Sequence, residues 1–262
     1  MIVRSSSELT QCYNDLAAGD LVAAPVLPRW ATEAFLIDLL ERGVRCFPSA
    51  RARVLSRSKT AQAIVFRNWI LPWTTVIHRA PDLMAAMQHY RSEGIARVVT
   101  KKDGKHCGYG VFLWENMEAL YNQMALMEAP FPFVLQPFVR NLTDVRVIMV
   151  GDFVEAYTRE NPCSFRKNIA AGGCGRPFRL PPAVVSLCRD IMNRGGFPWA
   201  HIDLQLNENG DWYFSEMSLN GGVHGARIRR RDLERKKQMI TNKVVENHAE
   251  GRMAQSNGIQ KI

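Results

Sequence analysis

The sequence lacks long apolar runs and paired cysteines. No uninterrupted apolar segment approaches the roughly 20 residues that a helix needs to cross a bilayer. The first residues, from Met1 to Glu8, contain no apolar core of a secretion signal. Six cysteines are present, but none forms a Cys-x-x-Cys pair, so neither a zinc site nor a disulfide framework is indicated. These absences predict a cytoplasmic protein with reduced thiols and no membrane partner.

Acidic residues are outnumbered, and the imbalance is concentrated at the C-terminal end. The 262-residue chain carries a net charge of +9, of which residues 227–262 contribute ten Lys/Arg and four Asp/Glu. The run from Arg227 to Arg231 suits an anionic partner or nucleic acid, although such runs are more often solvated. We assign residues 229–262 to a basic C-terminal tail, which we expect to be helical at most to about Val245 and disordered beyond it.

The N-terminal part alternates between strand and helix patterns. A short apolar strand over residues 21–27 precedes a helix over residues 33–42, and a second strand follows over residues 44–48. A strand–helix–strand unit of this kind predicts a small parallel sheet. We therefore assign residues 1–56 to a short β-α-β N-terminal domain.

A glycine-rich loop lies between two strands in the middle of the chain. The loop covers residues 103–110 and joins strands over residues 97–101 and 111–113, so it differs from a Walker-type loop, which runs from strand to helix. Its glycines permit close approach to an anion, and Lys101 and Lys102 supply positive charge just before it. The loop fits a flap over a nucleotide, with a plain glycine hairpin as the alternative.

Two carboxylates are predicted to meet on a hairpin near the C-terminus. Apolar strands over residues 201–206 and 212–217 flank an Asn/Gly-rich turn, which places Asp203 and Glu216 on adjacent strands. Two carboxylates inside a core repel each other, and a bound cation is the usual remedy. Such oxygen ligands suit Mg²⁺, which takes its remaining ligands from water and nucleotide phosphates. An ordinary hairpin with carboxylates facing solvent is the alternative.

A basic stretch before this hairpin suits phosphoryl transfer. Arg159 precedes Arg166, Lys167 and Asn168, and glycines follow. Arginine and asparagine side chains stabilise charge on a transferring phosphoryl group. The alternative for this stretch is a mobile basic loop.

Taken in order, these elements resemble the ATP-grasp superfamily, and within it the RimK-like amino-acid ligases. The similar series covers about residues 54–228 and includes Gln-Pro-Phe-Val at residues 136–139. The resemblance implies an α/β (α+β) fold in which two α/β lobes sandwich the nucleotide. It implies an ATP-grasp domain over residues 57–228, with a small lobe at about 67–135 and a large lobe at about 136–228.

The resemblance also implies a role for each matching residue. Arg166 and Asn168 match a catalytic pair near the transferred phosphoryl group, and Asp203 and Glu216 match two magnesium-binding acids. The family's third metal ligand, an asparagine, is replaced by Ser218, and Asn220 is the alternative ligand. Mn²⁺ is expected to substitute for Mg²⁺. The residues matched to ATP binding are Lys59, Lys101, Gly108, Tyr109, Gly110, Gln136, Pro137, Phe138, Val139 and Arg146.

The activity implied by the resemblance is ATP-dependent ligation of a carboxylate to an amine through an acyl phosphate. The substrates would be small molecules or peptides, and the enzyme a homodimer or tetramer. An ATP-grasp kinase acting on a hydroxyl would use the same site. A degenerate nucleotide-binding or sensing protein is an alternative of another class, favoured by Ser218 and the short N-terminal domain. A nucleic-acid-binding module is a further alternative, and the basic tail is the one feature of the sequence that favours it.

Overall fold

The computed structural model describes residues 1–28, 30–104, 108–127, 130–167, 169 and 172–259, without the side chains of residues 252–259. Within these residues the chain forms three β-sheets and eight α-helices, which confirms a mixed α+β fold. No helix in the described ranges is both long and apolar enough to span a membrane.

The N-terminal sheet is small and parallel, as its strand–helix–strand pattern predicts. Val3, Leu9, Val22, Leu36 and Leu39 form its core. The order of its strands is β1-β2-β3, and each neighbouring pair is parallel. Its elements are β1 (Ile2–Val3), α1 (Ser6–Cys12), β2 (Leu21–Val22), α2 (Glu33–Glu41) and β3 (Arg45–Cys46).

Two short helices connect this sheet to the rest of the molecule. They are α3 (Ala50–Leu55) and α4 (Lys59–Val65), and the Ser58 side chain caps α4 by accepting a hydrogen bond from the backbone of Ala61. Gln62 of α4 exchanges hydrogen bonds with the backbone of Met217, at 2.8 and 2.9 Å. This exchange fixes α4 against a strand far along the chain.

A four-stranded antiparallel sheet follows, with strand order β4-β7-β5-β6. Its helices cover a core that includes Ile77, Leu83, Tyr90, Leu120 and Leu135. The register pairs Lys101 with Val111 on one side and with Val134 on the other. Its elements are β4 (Thr75–Ile77), α5 (Ala80–Ser92), β5 (Val98–Lys102), β6 (Val111–Trp114), α6 (Met117–Ala125) and β7 (Phe133–Pro137).

A five-stranded antiparallel sheet carries the longest strands, in the order β10-β9-β8-β11-β12. Helix α7 packs on it through buried residues that include Cys188 and Ile191. The hairpin predicted from the sequence is the pair β11 and β12. The elements are β8 (Thr143–Val150), β9 (Phe153–Glu160), β10 (Cys174–Phe178), α7 (Pro182–Gly195), β11 (Trp199–Leu206) and β12 (Trp212–Ser218).

The described part of the C-terminal segment is a docked helix, so the predicted disorder after Val245 is wrong for residues 246–259. Helix α8 (Arg230–Ile259) is continuous and buries Leu233, Lys237, Thr241, Val245 and His248, which recur every three or four residues. Val245 packs on the N-terminal sheet, while Leu233 belongs to the core of the five-stranded sheet. Three of the five buried positions are polar, which is why the sequence pattern did not indicate a packed face.

Candidate functional site

A cavity of about 650 Å³ is lined by residues of both antiparallel sheets. Val99 and Lys101 of β5 contribute one wall, and Asp203 and Glu216 of the β11–β12 hairpin contribute another. The predicted site residues that line it are Lys59, Lys101, Gly108, Gln136, Pro137, Phe138, Val139, Arg146, Arg166, Asp203, Glu216, Ser218 and Asn220.

Three predicted site residues are not placed on the cavity wall. Tyr109 is 81% exposed, and neither Tyr109 nor Gly110 lines the cavity. Tyr109 stands between Gly108 and Gly110, which have no side chains to pack against its ring. Asn168 lies outside the described residues.

A row of polar side chains crosses the floor of the five-stranded sheet. Register pairs Tyr157 with Arg146, Arg146 with Asp203, and Asp203 with Glu216. Directly paired residues point to the same face of a sheet, with their Cβ atoms about 5 Å apart. The predicted adjacency of Asp203 and Glu216 is therefore present in the structure.

Asp203 is held by two arginines. Arg146 donates two hydrogen bonds to its carboxylate, at 2.7 and 2.8 Å, and Arg159 donates a third at 2.9 Å. Arg159 also donates to Asp144 at 2.6 Å. Burial alone would raise the pKa of Asp203, but the two guanidinium groups outweigh burial and hold this pKa below its ordinary value. The carboxylate thus stays charged in a buried position.

The two acids fit a divalent cation only together with oxygens from a ligand. A carboxylate has about four lone-pair positions, and three hydrogen bonds already reach Asp203. Glu216 forms an ion pair with Lys59 at 3.2 Å. Among the described residues, no group of three or more His, Cys, Asp or Glu is arranged to hold a metal ion. This donor set suits Mg²⁺ that takes most of its ligands from phosphate and water.

Two lysines bring positive charge to the same place. Lys59 and Lys101 are only 8% and 9% exposed, and Lys101 donates a 3.1 Å hydrogen bond to the hydroxyl of Ser215. The β11–β12 register shifts beside Ser215, and this bulge explains how consecutive residues Ser215 and Glu216 both line the cavity. Burial lowers the pKa of Lys101 although the nearby Glu216 opposes this shift. No local pattern of residues predicts the bulge, so Ser215 was not identified from the sequence.

His201 lies two residues before Asp203 and lines the same cavity. It is 2% exposed, and neither ring nitrogen has a hydrogen-bond partner among the described residues. Burial, reinforced by Lys237 and Arg146, lowers its pKa to about 3. A Cβ on Gly221 would lie 2.5 Å from the imidazole Cγ, so this position requires glycine. His201 lies two residues before Asp203 on the same strand, so both side chains point to the same face of the sheet. This spacing could have identified His201 as a site residue from the sequence.

The basic stretch before β10 reaches the opposite wall. Arg166 donates to the carbonyls of Gly108 and Val111, at 3.2 and 3.0 Å, and its guanidinium lies 4.5 Å from the Phe165 ring centre. Lys167 donates to the carbonyl of Leu142. Arg166 lies between β9 and β10, so these hydrogen bonds connect the glycine-rich loop to the part of the cavity wall that the five-stranded sheet provides.

The two candidates for a third metal ligand have different surroundings. Ser218 pairs with His201 across the hairpin, whereas the side-chain Oδ1 of Asn220 accepts a 3.3 Å hydrogen bond from Lys237 of α8. Lys237 also donates to the carbonyl of Leu219 at 3.2 Å. Helix α8 thereby fixes the loop that follows β12.

Comparison with known proteins identifies the fold. The family model described as the RimK-like ATP-grasp domain matches residues 54–242. The structure is similar to D-cycloserine synthetase DcsG, at 15% identity and a TM-score of 0.60, covering 80% of this chain and 77% of that one. It is also similar to the D-alanine-D-alanine ligase from Coxiella burnetii, at 10% identity and a TM-score of 0.58, covering 92% and 73%.

A third similar structure contains peptide. It is a Chryseobacterium gregarium RiPP-associated ATP-grasp ligase in complex with ADP and a leader and core peptide, at 16% identity and a TM-score of 0.53, covering 73% of this chain and 60% of that one. This chain spans about 60% of the length of such peptide-bound ligases. A search of curated proteins found no match. At these identities the likeness shows the ATP-grasp fold alone, which agrees with the prediction from sequence.

Proposed function

We propose that this chain, which belongs to the RimK-like ATP-grasp domain family, is an ATP-dependent carboxylate–amine ligase. One observation supports the proposal most directly. The buried ammonium groups of Lys59 and Lys101 enter one cavity beside the paired acids Asp203 and Glu216. Buried lysines beside paired carboxylates provide both the positive charge for phosphates and the oxygen ligands for their metal ion.

We assign the phosphates of ATP to the lysines and the glycine-rich loop. Lys59 and Lys101 would contact phosphate oxygens as point charges. Gly108, Tyr109 and Gly110 would cover the phosphates when the loop closes, and the absence of a Cβ at the glycines lets the backbone approach closely. Arg146 stays with Asp203 and contributes positive charge to the floor of the site.

We assign the adenine to the segment from Gln136 to Val139. Pro137 has no N–H, and the Phe138 N–H already donates to the carbonyl of Arg97 at 2.9 Å. Of the three residues that follow Gln136 in this segment, Val139 is therefore the one whose backbone N–H we assign as the hydrogen-bond donor to a ring nitrogen of adenine. Phe138 itself lies against the Phe165 ring and supplies an apolar wall.

We assign a metal ion to Asp203 and Glu216, with Ser218 or Asn220 as a further ligand. Mg²⁺, or Mn²⁺ in its place, would neutralise phosphate charge at this position. Arg166 and Asn168 would stabilise the charge that develops on the transferred phosphoryl group. The chain's own contribution is to orient the carboxylate substrate toward this group, so that an acyl phosphate forms and an amine then displaces phosphate.

The partners that we propose are a carboxylate and an amine, either small molecules or peptides. Similar structures hold precursor peptides, which supports the peptide option. We also propose a cytoplasmic location, a homodimer or tetramer, and an anionic partner for the basic segment over residues 229–262. The three-sheet layout supports a division into residues 1–56, 57–228 (lobes about 67–135 and 136–228) and 229–262.

Phosphate release tests the proposal. Purified protein would be incubated with ATP, Mg²⁺ and mixtures of carboxylates and amines, and both phosphate and ADP would be measured. A ligase releases phosphate rapidly only when a carboxylate and an amine are both present. ADP formation with transfer of phosphate to a hydroxyl would instead identify a kinase. Nucleotide binding without turnover across the mixtures would favour the degenerate sensing protein.

A further inference from the structure

Asp103 stands at the start of the glycine-rich loop and reaches helix α4. Its carboxylate accepts hydrogen bonds from the backbone N–H groups of Lys59 and Thr60, at 2.6 and 3.1 Å. It also accepts from the hydroxyls of Ser58 and Thr60, at 2.7 and 2.5 Å. A single side chain thus receives four hydrogen bonds from three consecutive residues that lie more than 40 positions earlier in the sequence.

These contacts join two parts of the cavity wall. Lys59 projects into the cavity and pairs with Glu216, while Gly104, which follows Asp103 directly, lines the same cavity. Asp103 itself does not line it. The first N–H groups of a helix have no partner within the helix and favour a negative charge, so the carboxylate satisfies two of them. Movement of Asp103 would therefore displace both Lys59 and the root of the loop.

We propose that Asp103 is a positioning residue, which holds Lys59 and Gly104 of the glycine-rich loop in the geometry that receives phosphates. The proposal rests on the proposed nucleotide-binding function. A carboxylate suits the position because all four partners can donate, and its two oxygens offer about four lone-pair positions. Asparagine would keep only one acceptor oxygen and would place an NH₂ group against the donors.

The first test does not depend on nucleotide. Amide hydrogen exchange would be measured at Lys59 and Thr60 in the wild type, Asp103→Ala and Asp103→Asn. We expect exchange to accelerate about tenfold in Asp103→Ala, because a hydrogen bond to a charged acceptor is lost, and by less in Asp103→Asn. Asp152→Ala, in an exposed turn, is the matched control. Unchanged exchange in Asp103→Ala would overturn the assignment of the contact.

The second test asks whether Asp103 acts through Lys59. Calorimetry with ATP and Mg²⁺ would compare Asp103→Ala, Lys59→Met and the double variant. We expect Asp103→Ala to weaken binding about tenfold in the wild-type background, and by much less once Lys59 is methionine, because the two changes are coupled. Thermal unfolding would confirm that each variant is folded. If Asp103→Ala does not fold, Thr60→Val replaces it in the comparison, because this change removes one of the hydroxyl donors to Asp103.

The outcomes separate this inference from the proposed function. Additive effects of Asp103→Ala and Lys59→Met, or unchanged affinity in Asp103→Ala, would overturn the positioning role. A wild-type protein that binds no nucleotide would overturn the nucleotide-dependent role together with the proposed function. In that case the exchange measurement would still decide whether Asp103 holds the start of α4.

Discussion

Lys101 and Ser215 meet across the cavity, where the ammonium of Lys101 donates a 3.1 Å hydrogen bond to the serine hydroxyl. Lys101 belongs to the four-stranded sheet and Ser215 to the five-stranded sheet, so this bond joins the two walls. A buried ammonium requires compensating partners. Burial lowers the pKa of Lys101, and the neighbouring carboxylate of Glu216 opposes this shift without reversing it. A bound phosphate would supply the same compensation in the proposed complex.

Replacing Lys101 by methionine should weaken ATP binding by about 1.5–3 kcal/mol, the contribution of a hydrogen bond to a charged group. Isothermal titration calorimetry would measure the change. Lys102→Met is the matched control, because alternation along β5 directs this neighbour to the opposite face and it does not line the cavity. Equal affinity in wild type and Lys101→Met would contradict the assignment of Lys101 to the phosphates.

Replacing Glu216 by glutamine should preserve the fold and lower Mg²⁺-dependent turnover by about 100-fold. Loss of an outer-shell partner already costs about 10–100-fold at metal sites, and a direct ligand should cost at least the upper value. The measurement is the Mg²⁺ dependence of ATP turnover, with Glu118→Gln, at an exposed position of α6, as the control. Ser218→Ala and Asn220→Ala, made separately, would show which residue is the third ligand. An unchanged Mg²⁺ dependence in Glu216→Gln would overturn the metal assignment.

Features with a local signal could be predicted from the sequence. A serine before a helix is a local capping signal, and Ser58 caps α4 in this way. The Asn/Gly turn after Leu206 joins the two strands of the predicted hairpin. The pairing of the two strands could be predicted, whereas the partner of Asp203 depends on the bulge at Ser215, which brings Glu216 opposite Asp203 in place of Ser215. Each of these predictions depends on a few neighbouring residues, so one sequence is enough to make it.

Features that depend on distant partners could not be predicted. The Asp103 contact with α4 joins segments that only the tertiary fold brings together. The bulge at Ser215 leaves no pattern in composition, and β10 was missed because Gly175 and Pro177 are unusual in strands. Helix α8 is stabilised by packing on two sheets rather than by a continuous apolar stripe, so its full length was also missed.

Replacing Leu233 by alanine should destabilise the protein by about 2–4 kcal/mol, because the change leaves a cavity under the docked helix α8. Leu233 is buried in the core of the five-stranded sheet. Met239→Ala is the control, since Met239 on the same helix is 70% exposed and its loss should change stability little. Urea unfolding would measure both variants. Equal stability of Leu233→Ala and wild type would show that α8 does not contribute to the fold in solution.

The neutral imidazole of His201 should make stability depend on pH between about 6.5 and 3. Its pKa is lowered from the ordinary value of 6.5 to about 3, so in this range the unfolded chain binds a proton that the folded protein does not. The contribution of His201 to the free energy of unfolding is therefore fully present above the pKa of the unfolded chain, and it decreases as the pH falls below that value. Between pH 7 and pH 5 the loss should be about 2 kcal/mol.

Urea unfolding of wild type and His201→Gln at pH 7 and pH 5 would isolate this contribution, because glutamine does not titrate and the other groups are common to both proteins. We expect wild type to lose about 2 kcal/mol more than His201→Gln over this interval. His78→Gln, at an exposed position, should keep the pH dependence of wild type. Parallel losses in wild type and His201→Gln would mean that the folded protein protonates His201 as readily as the unfolded chain does. The imidazole would then be accessible to water in solution, and the loop at Gly221 would not cover it.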